Sequence, residues 1–93
     1  MWGGELSVFS VGFGNYVSRE RVVAVVGVDS TPIRRAIQES RKEGSLIDAT
    51  QGRRTKCALF MDDGRVVVSG LGPETLAKRM GTPLAEESDA DLG

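Results

Sequence analysis

No histidine occurs in the 93 residues, and Cys57 is the single cysteine. Zinc sites built on Cys and His, nucleophiles that need a His base, and disulfides within one chain are thereby excluded. Aromatic residues make up only 5% of the chain, too few for a platform on which successive single-stranded bases stack. Long apolar runs are missing as well. The longest, Val22 to Val28, falls far short of the ~20 residues that cross a bilayer. No basic cluster precedes an extended apolar stretch near Met1, so no secretory leader is expected and the chain reads as cytoplasmic. The groups left for catalysis are carboxylates, lysines and hydroxyls, and they fall into no recognisable constellation. An enzyme is the weakest reading, and neither a metal nor a cofactor is expected.

What is present is ordinary globular chemistry, with 40% hydrophobic and 27% charged residues, in a length that suits one domain. The net charge of −1 hides an asymmetry. Residues 1–80 hold all twelve Lys and Arg against nine acids, so they carry +3. Residues 81–93 hold Glu86, Glu87, Asp89 and Asp91 without a cation, so they carry −4. The expected organisation is a mildly basic domain over 1–80 and an acidic, disordered tail over 81–93.

Local patterns divide the domain. Leu6 to Val11 reads as a strand, and Gly12, Gly14 and Asn15 as the turn or bulge after it. Arg21 to Val28 reads as a second strand, apolar on both faces and therefore expected at the centre of a covered sheet. Asp29-Ser30-Thr31-Pro32 is a helix start, the helix running from about Pro32 to Glu43 and ending at Gly44. Its inner stripe is Ile33, Ala36, Ile37 and Ser40. A short extended piece at Leu46-Ile47 precedes a strand over Thr55–Met61. Asp62-Asp63-Gly64-Arg65 suits a type I′ hairpin turn, Val66–Ser69 is the returning strand, and Pro73–Met80 is a short helix. The fold class is α+β, a mainly antiparallel sheet of about five short strands with one main helix and a short C-terminal one. One helix covers only one face of such a sheet, so a second copy of the chain is expected on the other.

Gly52-Arg53-Arg54-Thr55-Lys56 is the sharpest local feature. Arginine offers a planar fork of donors that fits phosphate oxygens or a guanine edge. The plain alternative is two solubilising surface arginines paired with Asp48 or Asp62, and the motif alone leaves both readings open. Arg19 and Arg21 flank the second strand and extend the same basic surface. Arg34, Arg35, Arg41 and Lys42 are better read as a solvated helix face. Phe9, Phe13 and Phe60 are taken as core, and Cys57 as a small buried hydrophobe. The Gly12-Phe13-Gly14 stretch lacks the third glycine and the following helix of a dinucleotide loop, and is read as a glycine turn.

Val11-Gly12-Phe13-Gly14-Asn15, Ser30-Thr31-Pro32-Ile33-Arg34-Arg35 and Leu46 to Thr55, in that order, resemble the RemA family, as does Pro73 to Arg79 at the domain's end. These are small bacterial DNA-binding regulators named for control of extracellular-matrix genes in biofilms. The resemblance implies a fold akin to LytTR-type DNA-binding domains and a homo-oligomer, ring-shaped, that presents several copies of a basic surface to double-stranded DNA. It places DNA contacts at Arg21, Arg53 and Arg54, and makes Pro32 sensitive through structure or assembly. Gln51 stands where the family usually has an aromatic, and the acidic tail is an addition. Both departures bear on DNA affinity and target preference.

The leading expectation is thus an oligomeric transcriptional regulator that contacts duplex DNA through Arg53, Arg54, Arg21, Lys56 and Arg19, without cofactor or membrane. An RNA-binding module using the same arginines is the second reading. A structural oligomer without nucleic acid is the third.

Overall fold

Two strands, Cys57–Met61 and Val66–Ser69, are apolar at nearly every position, and the fold is built around them. The computed structural model describes residues 7–81. Its elements in chain order are β1 (Val8–Gly12), β2 (Asn15–Ser18), a 3₁₀ turn (Arg19–Arg21), β3 (Val22–Gly27), α1 (Thr31–Glu43), β4 (Leu46–Asp48), β5 (Cys57–Met61), β6 (Val66–Ser69) and α2 (Pro73–Met80). The class is α+β, as the patterning indicates, but the strands number six and form two sheets. β1 and β2 make an antiparallel hairpin, and the other four strands are ordered β3-β5-β6-β4. Within the larger sheet β3-β5 and β5-β6 are antiparallel, while β4 runs parallel to β6. Trp2 and the acidic segment after Gly81 lie outside the described residues.

Period-2 alternation sends β5 and β6 into two separate cores. Cys57, Leu59 and Val67 join Phe9, Val11, Ala49 and Leu76 on one face. Ala58, Val66 and Val68 join Ile37 on the other. α1 covers the second face with Ile33 and Ile37, the stripe its spacing indicates. The first face is covered by the β1-β2 hairpin and α2. Fully buried Leu59 and Leu76 each contribute roughly 1.5–3 kcal/mol by leaving water. Both faces are therefore largely covered within one chain, with Ile47, opposite Val67 on the first face, left 46% exposed. Asn15, read as part of a turn, instead opens β2, and the hairpin it forms with β1 covers much of the face on which a second copy was expected.

The place of β3 is also corrected. It lies at an edge of the sheet, not its centre. Its register against β5 slips between Val22 and Ala24, so Val23 is an inserted residue, 69% exposed. The bulge brings Val22 and Val25, an odd number of positions apart, onto the same core face. Edge strands are commonly blunted this way. The continuous apolar signal belongs to a central strand in β5 and β6, and to a bulged edge strand in β3.

The β5-β6 turn differs from the type I′ form. Gly64 alone in it has positive φ, 90°, and its N–H donates to the Met61 carbonyl at 3.2 Å. That is a type I turn closed by a left-handed glycine. Paired positive-φ residues occur instead at Phe13-Gly14 and Gln51-Gly52.

Candidate nucleic-acid interface

β4 ends at Asp48, and the chain then turns sharply before β5. The Asp48 Oδ1 accepts from the Thr50 hydroxyl at 2.6 Å and from the Thr50 amide at 2.9 Å, a side-chain-closed turn that Asp favours. These bonds, the hydroxyl's first, hold the Asp48 carboxyl below its usual range, with the Arg41 charge adding to them. Thr50 is buried and anchors the loop. The Arg53 N–H donates to the Thr50 carbonyl at 2.9 Å, with Gln51 at φ 54° and Gly52 at φ 80° between them. The Lys56 N–H then joins the Ser69 carbonyl at 2.9 Å and returns the chain to the sheet. Arg53, Arg54 and Lys56 are exposed on this pinned loop. A side chain at Gly70 would place its Cβ 3.3 Å from the Arg53 Cβ, so glycine at the end of β6 lets the loop sit close.

The tip of the β1-β2 hairpin meets the same place. Phe13 and Gly14 take φ 54° and 77°, as a two-residue hairpin turn requires. The tip is braced: Asn15 Nδ2 donates to the Gly12 carbonyl at 3.0 Å, and the Gly12 N–H to Ser10 Oγ at 3.1 Å. The buried Ser69 hydroxyl donates to the Val11 carbonyl at 2.8 Å and accepts from the Leu71 N–H at 3.0 Å, tying hairpin to sheet. The Arg53 guanidinium lies over the Phe13 ring, 5.0 Å from its centroid. Phe13, Arg53, Arg54, Lys56, Gly70 and Leu71 line a shallow groove of about 270 Å³.

The anionic partners proposed for a plain surface role are engaged elsewhere. Asp48 is held by Thr50, and Asp62 pairs with Arg21 at 3.1 Å. Among the described residues, Arg53, Arg54 and Lys56 form no ion pair. Arg21 stands apart from them, at the opposite end of β5. That strand has five residues, which puts the two ends on the order of 14–17 Å apart at ~3.4 Å per residue. Arg19 is at that far end too. It is half-buried and donates to the Arg79 carbonyl at 3.3 Å and the Ser7 hydroxyl at 3.4 Å, so it acts first as a brace from the 3₁₀ turn to α2 and to the start of β1. Pro32 is exposed in the first turn of α1, after the Ser30 cap. Arg34 spends its guanidinium on the carbonyls of Val28 and Asp29 at 3.1 and 2.9 Å.

The model of the RemA-like family, described as extracellular matrix regulatory protein A-like, matches residues 8–80. The chain belongs to this family. A protein of Acetivibrio thermocellus is 44% identical over 86 residues, covering 92% of each chain. One of Caldicellulosiruptor saccharolyticus is 46% identical over 90 residues, 96% of this chain and 89% of the relative. A third, of Clostridium botulinum, is 47% identical over 88 residues, 95% and 96% of the two chains. Each bears the name "putative regulatory protein", which points to regulation and not to an enzyme.

Within this RemA-like domain the structure brings together Arg53, Arg54 and Lys56, separates Arg21 and Arg19, and adds Phe13. Phe13 is corrected from core to surface: it is half-exposed, whereas Phe9 is buried. Its signal in the sequence is the glycine on either side, which marks a hairpin tip once Asn15–Ser18 is read as the second strand. No described helix is long and apolar enough to cross a membrane.

Proposed function

We propose that this RemA-like chain is a cytoplasmic transcriptional regulator that binds double-stranded DNA as a homo-oligomer, without a cofactor. The observation that carries the reading is the pinned loop with three exposed cations, Arg53, Arg54 and Lys56, which form no ion pair among the described residues. Arginine forks suit phosphate oxygens and base edges, and a loop already held by Thr50 and Asp48 loses little conformational freedom on contact. Arg21 and Arg19, at the other end of β5, supply a second, outlying contact. Three cations per chain make a weak footprint, and repetition around an oligomer makes it useful by effective concentration. Unlike patches at the two sheet edges support assembly: Val23 beside β5 and Ile47 on β4 are 69% and 46% exposed. A head-to-tail contact between unlike patches closes into a ring when the rotation permits. Pro32, exposed at the start of α1, bears on assembly through the placement of that helix.

The test is fluorescence anisotropy with a duplex and a structured RNA across a salt series. Duplex binding should weaken with salt by roughly 0.9 in log K per log salt for each contacted phosphate. Arg53→Ala with Arg54→Ala should abolish it at unchanged oligomeric mass. Preference for the RNA redirects the reading to that class, and no binding at low salt by a stable oligomer favours a structural role.

A further inference from the structure

The hairpin tip carries its bulkiest side chain where turn chemistry favours the smallest. Phe13 sits at φ 54°, a region that L residues other than Asn and Asp largely avoid. Its ring is half-exposed, so burial does not repay the backbone strain. The ring's partner is a charge: the Arg53 guanidinium, 5.0 Å from its centroid. The two residues come from different turns, each with successive positive-φ residues, Gly12-Phe13-Gly14 and Gln51-Gly52. Gly70, whose Cβ would crowd Arg53 at 3.3 Å, leaves room for the approach.

We propose that Phe13 is a positioning residue for nucleic-acid contact, its ring holding the Arg53 guanidinium in one orientation at the mouth of the groove it shares with Arg54 and Lys56. The proposal rests on the DNA-binding reading above. Stacking engages the face of the guanidinium and leaves its N–H edge donors for phosphate or a base edge. An arginine without this platform searches many rotamers and gives up that freedom on binding. The backbone that carries the ring is held, because Asn15 and Ser10 brace its turn and Ser69 ties the strand below it to the sheet. Phe13 therefore acts through Arg53.

The decisive variant is Phe13→Asn. It makes the tip Asn-Gly, the sequence this turn prefers, so melting temperature and oligomeric mass should be kept or raised while the ring is lost. Duplex affinity should fall about two- to fivefold, the range of an exposed cation–π contact, and Phe13→Trp should retain it. At low salt, where Arg54 and Lys56 keep Arg53→Ala bound, adding Phe13→Asn to Arg53→Ala should change nothing further. In the free protein the Arg53 Hε resonance should be shifted upfield by the ring current, and Phe13→Asn should remove that shift. A wild-type protein that binds no duplex defeats the DNA reading, and the Arg53 resonance then reports on the stacking by itself. A binding wild type with unaffected Phe13→Asn, or an equal loss in the Arg53→Ala background, overturns the positioning role.

Discussion

Arg21 donates from Nε to Asp62 Oδ1 at 3.1 Å, with the two side chains 59% and 46% exposed. A cation proposed to contact DNA thus already holds a carboxylate. Exposed pairs contribute about 0–1 kcal/mol, weak enough for a phosphate to displace Asp62. Asp62→Asn should release Arg21 and remove a repulsive charge, raising duplex affinity by up to about fivefold at low salt. Weaker binding would mean that Asp62 orients Arg21 and does not compete for it. Titrations at two salt concentrations decide the matter.

Ser69 joins the two sheets by one hydroxyl. It is fully buried, donates to Val11 and accepts from Leu71. Ser69→Ala should leave a buried carbonyl and an amide without partners, at a cost of roughly 1–3 kcal/mol. For a domain of this size that lowers the melting temperature by about 4–8 °C per kcal/mol. Because the bond holds the hairpin that carries Phe13, duplex affinity should fall as well. A calorimetric scan with unchanged midpoint would show that the hairpin is held by its apolar face alone.

Much of this was legible in the sequence, and the failures have physical causes. The Ser30-Thr31-Pro32 start and Gly44 stop locate α1 because capping is local chemistry, and Pro73 with Gly81 does the same for α2. The arginine loop was legible as a cluster. That Asp48 and Asp62 are engaged elsewhere was not, since it depends on Thr50 and Arg21 being brought to them. β3 misled because a bulge at Val23 breaks the period-2 alternation on which face assignment rests. Phe13 misled because aromatics are presumed buried, and only the pairing of β1 with Asn15–Ser18 shows that it caps a hairpin.

Asp48 gives the loop a pH dependence. Its carboxyl titrates below 3.8, chiefly because the Thr50 hydroxyl and amide bind the charged form. A lowered folded-state value means that the stabilisation is present above the unfolded carboxyl's range. It is lost as pH falls through the folded value. Thr50→Val removes the hydroxyl, the larger cause, so the Asp48 midpoint should rise toward 3.8 and the loop should tolerate less acid. Carboxyl carbon shifts followed by NMR from pH 6 to 2 measure it. An unmoved midpoint in Thr50→Val would assign the effect to the backbone amide.

Assembly has to be argued from the sheet edges, because both faces of the sheet are largely covered within the chain. β3 and β4 are the two edges, with Val23 69% and Ile47 46% exposed on them. The bulge at Val23 disfavours continuation of the backbone ladder, so side-chain packing of the Val23 region against the Ile47 region is the expected contact. Each copy then uses both patches, one toward each neighbour. Light scattering at micromolar concentration should give several times the 10.0 kDa chain mass. Val23→Glu spoils one patch and Ile47→Lys the other, so each variant alone should run at single-chain mass. An equimolar mixture should form a dimer and stop there, because one sound patch of each kind remains between the two variants. An interface that pairs like patches gives a different result. Val23 against Val23 would leave Ile47→Lys dimeric on its own, and Ile47 against Ile47 would leave Val23→Glu dimeric. A wild-type protein at single-chain mass would remove the oligomer, and with it the multivalent account of how so small a basic footprint holds DNA.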